Sequence, residues 1–195
     1  LEIPEPYLFG KQQNETRKNK WEERLDAIQS GGESFREYEN IYTEILKNVL
    51  GEYLGLWAVQ ERSNNGLYRF DLCCKIKNGV NQDFFVTIQN QFNTKYIVFE
   101  FKNYENKITQ KEIYTTEKYL YAKALRSVAI IVSRKGADEN ALAAAKGCLR
   151  ESGKLILCLS DEDLKELLRI KEKDEQPTAE FFEAMLDDLL IHLEK

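Results

Sequence analysis

Apolar residues recur with two different spacings along the chain, and each spacing predicts a different kind of element. Between residues 35 and 49 they recur every three or four positions, which is the period of an amphipathic helix. The apolar positions of this helix are Phe35, Tyr38, Ile41, Tyr42, Ile45, Leu46 and Val49. Short apolar runs bounded by turn residues predict buried strands. The predicted strands are Leu56–Arg62, Leu67–Ile76, Tyr96–Lys102, Val128–Val132 and Leu155–Leu159.

The segments between these strands carry helix signals. Thr109 and Glu112 have the spacing of a capping box, which predicts a helix that continues to about Leu125. The segment 82–92 fits both periods, and we favour a short helix over a strand there. The other predicted helices are Trp21–Ile28, Ala137–Glu151, Asp161–Ile170 and Ala179–Leu193.

The order of these elements predicts an α/β fold. Strands alternate with helices after residue 96, which favours parallel pairing with right-handed crossovers. The turn Asn64-Asn65-Gly66 favours an antiparallel hairpin between the first two strands. We therefore predict a three-layer core with a mixed central β-sheet of about five strands, flanked by helices. We divide the chain into a lead-in with a short helix (1–32), a core (33–171) and an acidic C-terminal helix (172–195) that packs on the core or extends it.

The charge of the chain is unevenly distributed. The formal net charge of −5 argues by itself against nucleic-acid binding. However, residues 95–135 hold nine Lys and Arg against four Asp and Glu, whereas residues 160–195 hold five against twelve. The middle of the chain therefore predicts a locally positive surface. The residues that could contact phosphates there, unless they form only a solvated face, are Lys107, Lys111, Lys118, Arg134 and Lys135.

Length and composition limit the classes of protein to consider. A chain of 195 residues with 43% hydrophobic residues can bury the core of one domain. It contains no apolar run of membrane-spanning length and no secretion leader, so we expect a cytoplasmic protein without membrane contact. Its four cysteines lack zinc-site spacing, and we expect buried thiols in a reducing compartment. Because the chain begins at Leu1, further domains of a larger parent protein remain open.

Charged residues inside the predicted strands indicate a chemical site. Asp71 lies in the second strand, and Glu100 and Lys102 end the third. Positions 100 and 102 share one face, so the three side chains converge if the two strands are neighbours. Two carboxylates and the Phe101 carbonyl are hard oxygen ligands that suit Mg²⁺, while a lysine could orient or deprotonate a water or hold a phosphate. Since His192 is the single histidine, histidine-based catalysis is disfavoured.

The residues around this triplet resemble a known family. Phe70-Asp71 and the later segment Val-Phe-Glu-Phe-Lys-Asn-Tyr at 98–104 resemble the PD-(D/E)xK nucleases, and are most similar to the restriction-endonuclease-like, Mrr-type domains of prokaryotic defence proteins. The order helix, three strands, helix, strand between Glu33 and Val132 is similar to the core of that family. The resemblance covers about two thirds of the chain. Phe70 departs from the family name, in which this position is Pro.

The resemblance implies a function and a set of partners. A member of this family would be a metal-dependent endonuclease that hydrolyses phosphodiester bonds of DNA, with Mg²⁺ as its cofactor and Mn²⁺ able to substitute. A restriction or antiviral-defence effector domain is the expected setting. A homodimer is one expectation, because cutting two strands requires two sites.

The resemblance also implies roles for residues on two helices. The family often places a Glu after an aromatic residue on its first helix, and Tyr38-Glu39 matches that pattern, so Glu39 is a fourth candidate catalytic residue. Gln110 and Tyr114 resemble the QxxxY element of RecB-like relatives and lie on one helix face. They are therefore candidates for positioning the substrate.

Two alternative functions stay open at this point. The chain could be a catalytically inactive nuclease-fold module that serves nucleic-acid binding or assembly within a larger protein. It could also be an RNase on the same fold, since no residue separates DNA from RNA and a fold does not determine a substrate.

Overall fold

Five strands form one mixed sheet between two layers of helices. The computed structural model describes residues 20–59 and 70–193. The strands in these ranges are β1 (Leu54–Val59), β2 (Leu72–Ile76), β3 (Tyr96–Lys102), β4 (Val128–Ser133) and β5 (Leu155–Leu159). The α-helices in these ranges are α1 (Lys20–Ala27), α2 (Phe35–Leu50), α3 (Asp83–Gln91), α4 (Gln110–Glu117), α5 (Glu139–Ser152), α6 (Asp161–Lys173) and α7 (Ala179–Ile191).

The strands lie side by side in chain order, β1-β2-β3-β4-β5. β2 is antiparallel to both of its neighbours, whereas β3, β4 and β5 are parallel to one another. The parallel pairs are joined through α4 and α5, as the alternation of strands and helices predicts. The predicted α/β class, the mixed sheet and its three layers are confirmed.

The side chains of β3 alternate between two apolar cores. Phe99 and Phe101 point into the larger core, which α1, α2, α3, α6 and α7 cover. Val98 points into the smaller core beneath α4 and α5. Because alternate residues of a strand share a face, Glu100 and Lys102 emerge on the α4–α5 side.

Within the described residues, which resume at Phe70, the second strand begins later than its apolar pattern predicts. The prediction began it at Leu67, but β2 begins at Leu72. The chain bends at Asp71 and leaves the ladder of hydrogen bonds. The Asp71 carboxylate then accepts a hydrogen bond from the Phe101 N–H of β3, in place of a backbone carbonyl of a longer β2. The predicted Asn64-Asn65-Gly66 turn lies outside the described residues.

The fourth helix ends earlier than its sequence predicts. Its capping box at Thr109 is confirmed, but the helix stops at Glu117 rather than near Leu125. The chain then forms turns that bring the Leu125 carbonyl to the start of β3, where it accepts hydrogen bonds from the N–H groups of Lys95 and Tyr96 at 2.7 and 3.1 Å. An uninterrupted helix could not cover the strand in this way.

The helix favoured at 82–92 is confirmed as α3.

In residues 20–59 and 70–193, no helix has both the length and the apolar character needed to cross a bilayer.

Candidate active site

The site lies where β2 and β3 separate. Their pairing ends at Leu72 opposite Phe99, whereas β3 stays paired with β4 as far as Lys102 opposite Ser133. Asp71 comes one residue before this last antiparallel pair, and Glu100 comes one residue after it. Although Asp71 has left the ladder, its carboxylate is near enough to Glu100 to raise the pKa of that carboxyl, so the two carboxylates converge as predicted.

Asp71 is held in place by the backbone of β3. Its Oδ2 accepts a hydrogen bond of 2.8 Å from the Phe101 N–H. The N–H and C=O of one residue in an extended strand point to the same side, so the Phe101 carbonyl is directed toward β2 and Asp71. This orientation suits the predicted role of that carbonyl as a third oxygen ligand.

Glu100 and Lys102 form a largely buried ion pair. Lys102 Nζ donates to Glu100 Oε2 at 2.8 Å. Glu100 is 3% exposed and Asp71 is 8% exposed. The structure therefore brings together the three residues at the centre of the sequence prediction, with both carboxylates buried.

Burial and charge shift the protonation of this pair in a consistent way. Burial raises the pKa of Glu100 to about 7; the Lys102 ammonium opposes this rise and the Asp71 carboxylate adds to it. Burial lowers the pKa of Lys102, but the adjacent Glu100 and Asp71 outweigh burial and raise it, with a further contribution from Tyr104. Two nearby carboxylates favour the charged form of Lys102. In contrast, one ammonium favours the charged form of Glu100 and one carboxylate disfavours it. Lys102 therefore stays charged more readily than Glu100.

The oxygen atoms of the site fit a hard divalent cation. Glu100 Oε1 is shielded from solvent and accepts no hydrogen bond within the described structure. A buried carboxylate oxygen in this state is costly unless an ion or a donor satisfies it. Among residues 20–59 and 70–193, no group of three or more His, Cys, Asp and Glu side chains could form a metal cage. Two carboxylates and a carbonyl remain the available ligands, and Mg²⁺ binds in this manner when waters complete its shell.

Glu39 lies on α2, which packs on the opposite face of the sheet from Glu100. The neighbouring helix residue Tyr42 contacts the Phe101 ring with 5.8 Å between ring centroids. The Glu39 side chain is half-buried, and its carbonyl accepts a hydrogen bond of 2.8 Å from Thr43 Oγ1. A role for Glu39 as the fourth catalytic residue stays a prediction.

Gln110 and Tyr114 lie on the exposed side of α4. Gln110 is the first residue of the helix, and Tyr114 is 49% exposed one turn later. Both are on the helical layer that covers the Glu100 side of the sheet, and their solvent-facing side chains are free to meet a substrate. Their positioning role stays a prediction.

A second polar cluster, which the sequence prediction missed, lies beyond the carboxyl ends of β3, β4 and β5. Arg134 lies 3.6 Å from Asp161 Oδ2, donates to Asn103 Oδ1 at 2.6 Å, and lies over the Tyr38 ring at 5.1 Å. Tyr38 and Tyr42 both donate hydrogen bonds to Asp161 Oδ1. Burial raises the pKa of Asp161, although the Tyr42 hydroxyl and Arg134 oppose the rise. Arg134, a candidate phosphate contact by sequence, is instead engaged in this cluster.

Asn103 connects this cluster to the segment before α2. Its Nδ2 donates to the carbonyls of Gln29 and Gly31 at 3.0 and 2.8 Å, and its own carbonyl accepts from the Gly31 N–H at 2.9 Å. Asn103 and Arg134 each follow directly after a strand, and polar residues in that position commonly form sites in parallel sheets. That position was the one signal in the sequence that could have revealed the cluster.

Comparisons of the chain with protein-family models, with curated proteins and with solved structures find no match. The family resemblance therefore rests on the residues of the triplet and on the order of the surrounding elements.

Proposed function

We propose that this chain is a divalent-metal-dependent phosphodiesterase that acts on DNA, with the PD-(D/E)xK nucleases as its family. The observation that carries the proposal is the convergence of Asp71, Glu100 and Lys102 where two strands separate. The buried Glu100 Oε1, which accepts no hydrogen bond, supports a cation as the missing partner.

The chain's own residues divide the chemistry among them. Asp71, Glu100 and the Phe101 carbonyl would hold Mg²⁺, or Mn²⁺ in its place, which when bound lowers the pKa of a coordinated water and offsets negative charge on a phosphate. Lys102 keeps its ammonium charge, since the two carboxylates raise its pKa. It is therefore suited to hold the scissile phosphate or to orient the attacking water.

The proposed setting is a cytoplasmic restriction or antiviral-defence effector, working alone, as a homodimer or within a larger protein. All four cysteines are free thiols, which is the usual state in a reducing compartment. The basic stretch at 95–135, which includes Glu100 and Lys102, supplies the positive charge that a polyanion requires.

The test is cleavage of plasmid DNA and of single-stranded circular DNA with Mg²⁺, Mn²⁺ or EDTA by the wild type, Asp71→Asn and Lys102→Met. We expect metal-dependent cleavage that falls by about 100-fold or more in Lys102→Met, which is the scale of losing one group that stabilises negative charge in the transition state. The matched control is Lys154→Met. Lys154 also pairs with a glutamate, Glu117, at 3.2 Å, but it precedes β5 at the other end of the parallel strands. This control should cleave within about twofold of the wild type, in line with other surface changes.

Three outcomes would contradict the proposal. Equal cleavage by the wild type and both site variants would show that Asp71 and Lys102 take no part in catalysis. Absence of cleavage together with no Mg²⁺ binding in calorimetry would favour an inactive module. Cleavage of RNA alone in a parallel substrate panel would make the chain an RNase.

A further inference from the structure

A cleft lies immediately after the end of β3, the strand that carries Glu100 and Lys102. It is a shallow depression of about 350 Å³ that is open to solvent, and it is lined by Ser30, Gly31, Asn103, Tyr104, Glu105, Asn106 and Lys107. None of these lining residues belongs to the triplet. The cleft begins one residue beyond Lys102, and at most about 7 Å of chain separates the Cα atoms of Lys102 and Tyr104.

The two walls of the cleft are tied together. Asn103 bonds through its side chain to the Gly31 carbonyl at 2.8 Å and through its carbonyl to the Gly31 N–H at 2.9 Å. Arg134 in turn fixes the Asn103 side chain from the buried cluster. The cleft is thus held open by the fold, and a ligand that enters it need not order the loop first.

The groups that line the cleft match the parts of a nucleotide. Tyr104 is 46% exposed and offers an aromatic face for stacking. Lys107 is exposed and offers a cation for a phosphate, while the exposed side chains of Glu105 and Asn106 can bond to the polar edge of a base. Glu105 disfavours a second phosphate inside the cleft, so the cleft suits a base more than a stretch of backbone.

We propose that this cleft binds one unpaired base of the DNA substrate, stacked on Tyr104, next to the phosphodiester held at the triplet. This inference rests on the proposed function and names its substrate class as DNA with single-stranded character at the cleavage site. A base inside a duplex is already stacked on both faces and cannot occupy the cleft, so the enzyme prefers single strands, flaps or extruded nucleotides over blunt duplex.

The test measures binding in EDTA, so that it does not depend on cleavage. A short single-stranded oligodeoxynucleotide that contains 2-aminopurine reports stacking by loss of its fluorescence, and anisotropy reports affinity. The variants are Tyr104→Ala and Tyr104→Phe, which removes the hydroxyl but keeps the ring. The control is Tyr121→Ala: Tyr121 is 56% exposed and lies in the segment that covers the start of β3, at the opposite end from Tyr104.

We expect the wild type to bind the single strand more tightly than blunt duplex and to quench 2-aminopurine. Tyr104→Ala should lose quenching and bind at least about fivefold more weakly, which is the lower end for one base–aromatic stack. Tyr104→Phe and Tyr121→Ala should behave as the wild type, and melting curves should show that all variants are folded. A matching RNA oligonucleotide separates a DNA-specific cleft from one that accepts either strand.

Wild-type binding and quenching that Tyr104→Ala leaves unchanged would overturn the inference. Tighter binding of blunt duplex by the wild type would overturn it as well. In both cases plasmid cleavage that requires Lys102 would leave the proposed function standing. Absence of both DNA binding and DNA cleavage would contradict both this inference and the proposed function.

Discussion

Replacing Glu100 by Gln is expected to make the metal-free protein more stable while it abolishes cleavage. Burial raises the pKa of Glu100 from its ordinary 4.5 to about 7. The folded state therefore holds a proton on this carboxyl through a pH range in which the unfolded chain has lost it. Each pKa unit corresponds to about 1.4 kcal/mol, so ionisation of Glu100 destabilises the fold by about 3 kcal/mol above pH 7.

The sign of this effect follows from the direction of the shift. Below pH 4.5 the carboxyl is protonated in both states, and its ionisation costs nothing. Between pH 4.5 and 7 the unfolded chain ionises first, so stability is lost as the pH rises. Gln resembles the protonated side chain and carries no such cost. Glu100→Gln should therefore be more stable than the wild type by about 3 kcal/mol at pH 8 and by only about 1 kcal/mol at pH 5.

Urea unfolding in EDTA, followed by circular dichroism at both pH values, measures this difference. Glu175→Gln, at an exposed carboxylate, serves as the control and should change stability by less than about 0.5 kcal/mol. Addition of Mg²⁺ should then stabilise the wild type and leave Glu100→Gln unchanged, because a ligand stabilises only the state that binds it. A variant that is no more stable than the wild type at pH 8, or whose advantage does not grow with pH, would refute the reasoning.

Two further predictions concern buried groups outside the triplet. Arg134→Leu should lower the free energy of unfolding, measured in urea, by about 3–5 kcal/mol, because the Asp161 carboxylate stays buried without its cation. The control Arg150→Leu, at an exposed surface pair, should change the free energy of unfolding by less than about 1 kcal/mol. Equal effects of the two substitutions would contradict a buried role for Arg134. Burial raises the pKa of Cys148 and Cys158 to about 12, so both thiols should react with a disulfide reagent at pH 8 only after unfolding, and rapid labelling of either in the folded protein would show that the thiol is accessible.

Local features of the sequence predicted most of the fold. Apolar periodicity predicted α2, the apolar runs predicted β3 and β5 to the residue, and Thr109 with Glu112 predicted the start of α4. These features succeed because the hydrogen bonds of a helix and the side-chain alternation of a strand involve residues close together in the chain. The prediction that α4 ends near Leu125 was wrong for the complementary reason. After the helix stops, the Leu125 carbonyl accepts a hydrogen bond from the Lys95 N–H, and no local pattern records such a distant contact.

The candidate site divides in the same way. The sequence by itself determined the three candidate residues of the site, since Asp71, Glu100 and Lys102 are charged positions at or next to strand ends. Only the tertiary structure decided how they are held: the Phe101 N–H that orients Asp71 is 30 residues away. The partners of Asp161 lie still farther off, with Tyr42 at a separation of 119 residues. Such contacts depend on how whole layers pack, because the free energy that selects them comes from burying many side chains together.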